Sequence, residues 1–184
     1  MIVALAGRRI DAPDAIPERF PSRCIAPVRE RLRAALRERR ASALVCAAAC
    51  GADLIALALA EELGLRRRIV LPFAGDDFRR RSVVDRPGDW GEPFDRLVAE
   101  AAGRNDLEIL GLPAADPGVF QSTNAAILDR ALALARETDE PACAFAVWDG
   151  PLTGHTDYTQ DFVETAQRRG IPVQSIAIVD AGKE

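Results

Sequence analysis

Apolar residues fall along this chain in two rhythms. Uninterrupted short runs at 2–6, 43–46, 69–71 and 143–148 have the pattern of strands covered on both faces. Weaker runs at 107–110 and 172–179 extend the series. Between them the spacing turns helical. Val28, Leu32, Ala35 and Leu36 recur among arginines and glutamates, and Phe94, Leu97, Val98 and Ala101 mark one face of 92–102, which Gly103 ends. The stretch 52–63 is apolar nearly all round and stopped by Gly64, which predicts a buried helix. Ser122 or Thr123 is the expected cap of a helix bearing Ile127, Leu128, Ala131, Leu132 and Ala135. A last helix is expected over 157–169, closed by Gly170, with Thr156 as a candidate N-cap. Residues 73–91 keep no period and read as a long surface excursion.

Strand and helix alternate throughout, which predicts an α/β fold: a mostly parallel sheet with helices on both faces, one domain over residues 1–184. Right-handed crossovers place every strand-to-helix turn on one edge of such a sheet, where ligands bind. Three turns stand out: Gly7 to Asp11, Ala47 to Asp53, and Asp149 to Asp157.

The middle turn is the most suggestive. Ala49-Cys50-Gly51 are small residues before a helix N-terminus, so unpaired amides backed by the helix dipole make a candidate phosphate seat. Asp53 lies just inside that helix, within reach of a ribose hydroxyl; a plain buried turn is the alternative. Arg8 and Arg9 follow the first strand and offer planar forks for an anion, or pair with nearby Asp11 or Asp14. Arg79, with Ser82, is a candidate clamp from the long excursion; a solvated charged face explains the same run. At the third turn Asp149, Gly150, Gly154, His155, Thr156 and Asp157 offer carboxylates, amides and the chain's one histidine. Trp148 or Phe73 is placed to cover a base. Arginines and helix N-termini beside the carboxylates Asp53, Asp149 and Asp157 suit a ligand with an anionic end and a hydroxyl-rich middle, which describes a nucleotide.

Composition narrows the classes. A net charge of -4 over 184 residues argues against a nucleic-acid partner. Nearly all the positive charge is arginine, Lys183 being the single lysine. The four cysteines show no Cys-x-x-Cys spacing, so no metal is expected, and Cys46 and Cys143 read as reduced core residues of a cytoplasmic protein. No apolar run is long enough to span a bilayer, so no membrane partner is expected. The Walker phosphate loop, the Gly-x-Gly-x-x-Gly fingerprint and the Gly-x-Ser-x-Gly elbow are all absent, and no cofactor is expected.

Four segments together resemble the SLOG superfamily, which includes LOG (lysine-decarboxylase-like) and DprA-like proteins. They are Ala6-Gly7-Arg8-Arg9-Ile10-Asp11-Ala12-Pro13 with Arg19-Phe20-Pro21, Ala48-Ala49-Cys50-Gly51-Ala52-Asp53, Leu71-Pro72-Phe73 with Phe78-Arg79 and Ser82-Val83, and Val147-Trp148-Asp149-Gly150 with Gly154-His155-Thr156-Asp157. The resemblance implies a Rossmann-like three-layer sandwich of about six strands. It also implies a nucleotide-derived ligand at the carboxyl ends of the strands and a sensor role in bacterial signalling beside an effector. A homodimer and a separate effector protein are the candidate protein partners. LOG enzymes instead cleave the N-glycosidic bond of a nucleoside monophosphate, using a Pro-Gly-Gly-x-Gly-Thr-x-x-Glu motif. Here the position of that glutamate is Thr159. Asp53, Asp149 and Asp157 are the candidate catalytic carboxylates if such a cleavage occurs, since its cation-like transition state needs one. Three readings follow: a nucleotide-ligand binding module, an N-glycosidase, or an assembly subunit whose cleft takes no ligand.

Overall fold

Alternate residues of an apolar strand face opposite ways, and that is how this sheet acquires two covers. The computed structural model describes residues 1–150 and 157–179. Strands β1 (Ile2–Gly7), β2 (Ala43–Cys46), β3 (Arg66–Leu71), β4 (Leu107–Ile109), β5 (Ala142–Trp148) and β6 (Val173–Ala177) pair in parallel in the order β4-β3-β2-β1-β5-β6. Val3 and Leu5 of β1 pack with Val28, Leu32 and Leu36 of α1 (Ile25–Glu38), with α2 (Ala52–Glu62), and with Phe94 and Leu97 of α4 (Gly91–Gly103). Ile2, Ala4 and Ala6 face the other way, onto Ile127, Leu128, Ala131 and Leu134 of α5 (Val119–Thr138) and Phe162 and Ala166 of α6 (Tyr158–Arg168). The expected α/β sandwich with a Rossmann-like parallel sheet is therefore present.

The strand order fixes where a crevice opens. From β1 the chain steps outward to β4, then returns past β1 to place β5 on its other side. The return is made by α5, whose 20 residues span about 30 Å. Helices diverge where the order reverses, so the ends of β1 and β5 are the switch point of this fold.

Three local expectations are corrected. Residues 73–91 are not one long loop: they contain α3 (Gly75–Ser82). Its one firm anchor is Phe78, in contact with Phe73 and Phe94 at centroid distances of 6.1 Å, and a single anchor leaves no apolar period to read. Asp76 and Asp77 in the first turn and Arg79, Arg80 and Arg81 in the last complement the helix dipole. That ordering of charge was the available signal. Next, α5 starts at Val119, ahead of Ser122 and Thr123, and the Thr123 hydroxyl donates to the Val119 carbonyl within the helix (2.7 Å) instead of capping it. Finally, the N-cap of α6 is Asp157, which accepts from the Thr159 and Gln160 amides (3.0 and 3.1 Å), not Thr156. Among the described residues no helix is long and apolar enough to cross a membrane.

Candidate ligand site at the sheet switch point

Two glycines bring the first two strand ends against each other. A Cβ on Gly7 would lie 2.6 Å from the Ala52 Cβ, so only glycine lets β1 end against the start of α2. Gly51 has φ +97°, and a Cβ there would lie 2.8 Å from the Arg8 carbonyl and the Ile10 amide nitrogen. The loop after β1 is thus laid directly on the N-terminus of α2.

A cavity of about 260 Å³ opens between this corner and the N-terminal ends of α5 and α6. Gly7, Arg8, Arg9, Ala49, Asp53, Ser82 and Asp157 line it, so residues from all three predicted turns and from α3 meet at one place. Gly154, His155 and Thr156 lie outside the described residues. Arg79 is not at the cavity: its guanidinium pairs with Asp95 at 2.8 Å on the exposed side of α3. Cys50 and Gly51 shape the corner behind it.

The phosphate seat expected at residues 48–53 is largely occupied by the protein itself. The Ala49 amide donates to Asp53 Oδ2 (3.1 Å), the Cys50 amide to the Ser82 carbonyl (2.9 Å), and the Ala52 amide to the Arg8 carbonyl (3.1 Å). Asp53 does not reach outward to a sugar at the rim, because it is buried. Burial pushes its carboxyl up to about 7, against the opposing pull of the Ala49 amide and of Arg9. Among the described residues nothing donates to its second oxygen, Oδ1.

Arg8 is not an open fork either. It grips Asp157 through both terminal nitrogens (Nη1 to Oδ1, 2.6 Å), Asp149 through Nε (3.0 Å) and the Gly150 carbonyl through Nη2 (3.0 Å). Arg19 joins from the loop after β1, bidentate on Asp149 (2.7 and 2.6 Å) and bonded to the Gly150 carbonyl (2.9 Å). Two cations and two carboxylates therefore neutralise one another at the ends of β1 and β5. Burial acts to raise Asp149 and Asp157, but Arg19 and Arg8 outweigh it on Asp149, and Arg8 with the α6 amides outweighs it on Asp157; both sit below the usual carboxylate range. Arg9 pairs with Asp85, and its buried Nε has no hydrogen-bond partner among the described residues.

The aromatic wall differs from the one expected. Phe73 is in the core, and Trp148 donates through Nε1 to Ser175 Oγ (3.2 Å) away from the cavity. Phe120 and Tyr158, with centroids 5.2 Å apart, line it instead, together with Thr123 and Asn124 of α5. The α5 residues reach the site only because that helix crosses back over β1, whereas Tyr158 directly follows Asp157 of the third turn, and that adjacency was the available signal. Among the described residues no cluster of His, Cys, Asp and Glu is arranged to hold a metal ion.

No protein-family model matches the chain, and no curated protein matches its sequence. One matching solved structure is the X-ray structure of DNA processing protein A (DprA) from Streptococcus pneumoniae, at 15% identity and TM-score 0.43. The match covers 95% of this chain and 58% of that one, so the chain spans little more than half the length of that protein. At that similarity nothing of its activity transfers here. The exclusion of nucleic acid drawn from the net charge is nevertheless corrected, because a protein titled for DNA processing is among the matches. The physical reason is plain: -4 is a sum over the whole chain and does not describe the charge on any one face.

Proposed function

We propose that this chain is a module that binds a nucleotide-derived small molecule in the cavity at the β1–β5 switch point. The observation that carries the reading is Asp53: a buried carboxyl with an unpartnered oxygen, lining a cavity at the place where folds of this architecture take ligands. The SLOG resemblance of the four segments supports it. So does the convergence of three strand-to-helix turns on that cavity. As a sensor, the module acts in the cytoplasm and passes its state to a second copy or a separate effector. Cys46, Cys50 and Cys143, buried and without disulfides, suit a reducing compartment.

Titration of the protein with nucleoside monophosphates, NAD and ADP-ribose, followed by calorimetry and thermal shift, tests this. Saturable heat and a raised melting temperature with at least one are expected. No response to any of them, or a response only to a short DNA oligonucleotide, overturns the small-molecule reading.

A second reading, cleavage of an N-glycosidic bond, is favoured by the same carboxyl. A group titrating near 7 can hold a proton at neutral pH and give it to a departing base. The C1′–N bond breaks with its electron pair passing to the base nitrogen, that nitrogen takes the Asp53 proton, and water adds at C1′ and returns a proton to the Asp53 carboxylate. Free base released from a nucleoside monophosphate, and lost in Asp53→Asn, is the expected sign. Release undiminished in that variant rules Asp53 out of the role.

A further inference from the structure

The chemistry left open in the cavity indicates which part of a nucleotide it takes. Its cations are matched by carboxylates, Arg8 by Asp157 and Asp149 and Arg9 by Asp85, although the buried Arg9 Nε keeps one donor without a partner among the described residues. A phosphate entering the cavity would have to displace those carboxylates, and the Asp157 side chain is only 1% exposed. The groups that lack partners are mainly acceptors. Asp53 Oδ1 is one. Thr123 has given its hydroxyl proton to the Val119 carbonyl, so it offers lone pairs alone. Asn124 donates through Nδ2 to the Tyr158 carbonyl (2.7 Å), which leaves its own carbonyl oxygen to accept. Beside them stand the rings of Phe120 and Tyr158. The volume, about 260 Å³, is below the roughly 300–1,000 Å³ that holds a drug-sized ligand, so one ring system with part of a sugar fits and a dinucleotide does not.

We propose that the cavity takes the nitrogenous base of the ligand and not its phosphate, as a planar heterocycle whose N–H edge donates to Asp53 and Thr123 beside Phe120 and Tyr158. This rests on the nucleotide reading above and adds the orientation: base inward at Asp53, sugar and phosphate outward past the Arg8–Asp157 pair. The groups acting on Asp53 are Arg9 from the loop after β1, Cys46 beneath it at the end of β2, and the Ala49 amide. Arg8 and Asp157 line the same cavity as a matched pair. Of these, only Asp53 changes charge between pH 6 and 8, so base binding that prefers its ionised form releases a proton and strengthens through that window.

The test uses the full chain and calorimetric titration with adenosine, guanosine, cytidine and uridine, none of which titrates between pH 6 and 8. Ribose 5-phosphate is the competitor and AMP the reference. At least one nucleoside is expected to bind, unopposed by ribose 5-phosphate. Affinity should rise about tenfold from pH 6 to pH 8, and heats in buffers of different ionisation enthalpy should show proton release near pH 7. Asp53→Asn should lose about tenfold or more in affinity at pH 8. The proton release, read on the unaltered chain, decides the matter even if that variant misfolds. If AMP binds while the nucleosides do not and ribose 5-phosphate displaces it, the orientation is overturned and the nucleotide reading stands. If nucleosides bind with no pH dependence and no proton release, Asp53 is not the recognition group and the proposal falls. If neither nucleotides nor nucleosides bind, both readings fail together.

Discussion

The two sides of the switch-point crevice treat charge in opposite ways. At the ends of β1 and β5, Arg8, Arg19, Asp149 and Asp157 satisfy one another through bidentate contacts, and the backbone carbonyl of Gly150 takes up the remaining donors. A few residues away, at the start of α2, Asp53 sits buried with one backbone amide and an oxygen left over. The first arrangement holds structure together. The second costs stability and is therefore a place to look for function. Abundant charge at a strand end does not mean available charge, and a single unpartnered carboxyl says more about a ligand than four matched groups.

The sharpest way to break this contrast is to remove the Asp53 charge. Its carboxyl is raised in the fold, so the folded state prefers the protonated form. Stability from that group is fully present below the unfolded pKa near 4, falls as pH rises, and is lost once pH passes the folded value of about 7. The cost above pH 7 is roughly 4 kcal/mol. Asp53→Asn is expected to unfold at higher urea than the natural chain at pH 8, and to match it at pH 4. Equal midpoints at pH 8 would mean that the buried carboxyl is satisfied and that the contrast is false. The same substitution is expected to weaken ligand binding, so stability and recognition should move in opposite directions.

Gly51→Ala tests the corner that buries Asp53. The new Cβ meets backbone on the facing loop, in a region of φ that L-residues avoid, and a loss of about 3 kcal/mol in urea unfolding is expected. Arg8→Ala tests the matched side. It leaves Asp157 without its guanidinium but still capping α6, and the Arg8 side chain is 12% exposed, so a loss of about 2 kcal/mol is expected, below that of a fully buried pair. Asp157 is held low by Arg8, so in the Arg8→Ala variant its titration, followed by NMR, should move toward higher pH. If Arg8→Ala instead abolishes AMP binding with no change in stability, the arginine serves the ligand and not the fold.

Much of this was legible in the sequence, for identifiable reasons. Uninterrupted runs such as Val3 to Leu5 fix buried strands, and their alternation with helices fixes a parallel sheet. Gly7, Arg8, Asp53 and Asp157 could be assigned to one edge because the topology of such sheets leaves little choice. What could not be read was pairing. Nothing in the spacing of Arg8, Arg19, Asp149 and Asp157 says that they meet, since they come together across about 140 residues of chain. The same holds for Phe120, which looks like an ordinary helix residue until α5 is seen to cross β1. The helix at 75–82 has no legible period because its apolar content is essentially Phe78, and its acidic-to-basic order of charge is the one helical signal it carries.

Arg79 carries the smallest expected effect. The segment Phe78-Arg79 with Ser82-Val83 is part of the resemblance drawn from the sequence, and its charged run made Arg79 a candidate clamp on an anion. In the fold the residue splits from its neighbours: Phe78 and Ser82 line the cavity while Arg79, one helical face away, pairs with Asp95 of α4 in solvent. An exposed pair of this kind contributes little to stability. Arg79→Ala should therefore leave both the urea midpoint and the AMP affinity unchanged, whereas Ser82→Ala, whose hydroxyl has no described partner at the cavity, should lower affinity without moving the midpoint. If Arg79→Ala weakens AMP binding while Ser82→Ala does not, α3 must turn on binding to bring Arg79 over the cavity, and the matched-versus-unmatched contrast would not describe the groups that meet the ligand.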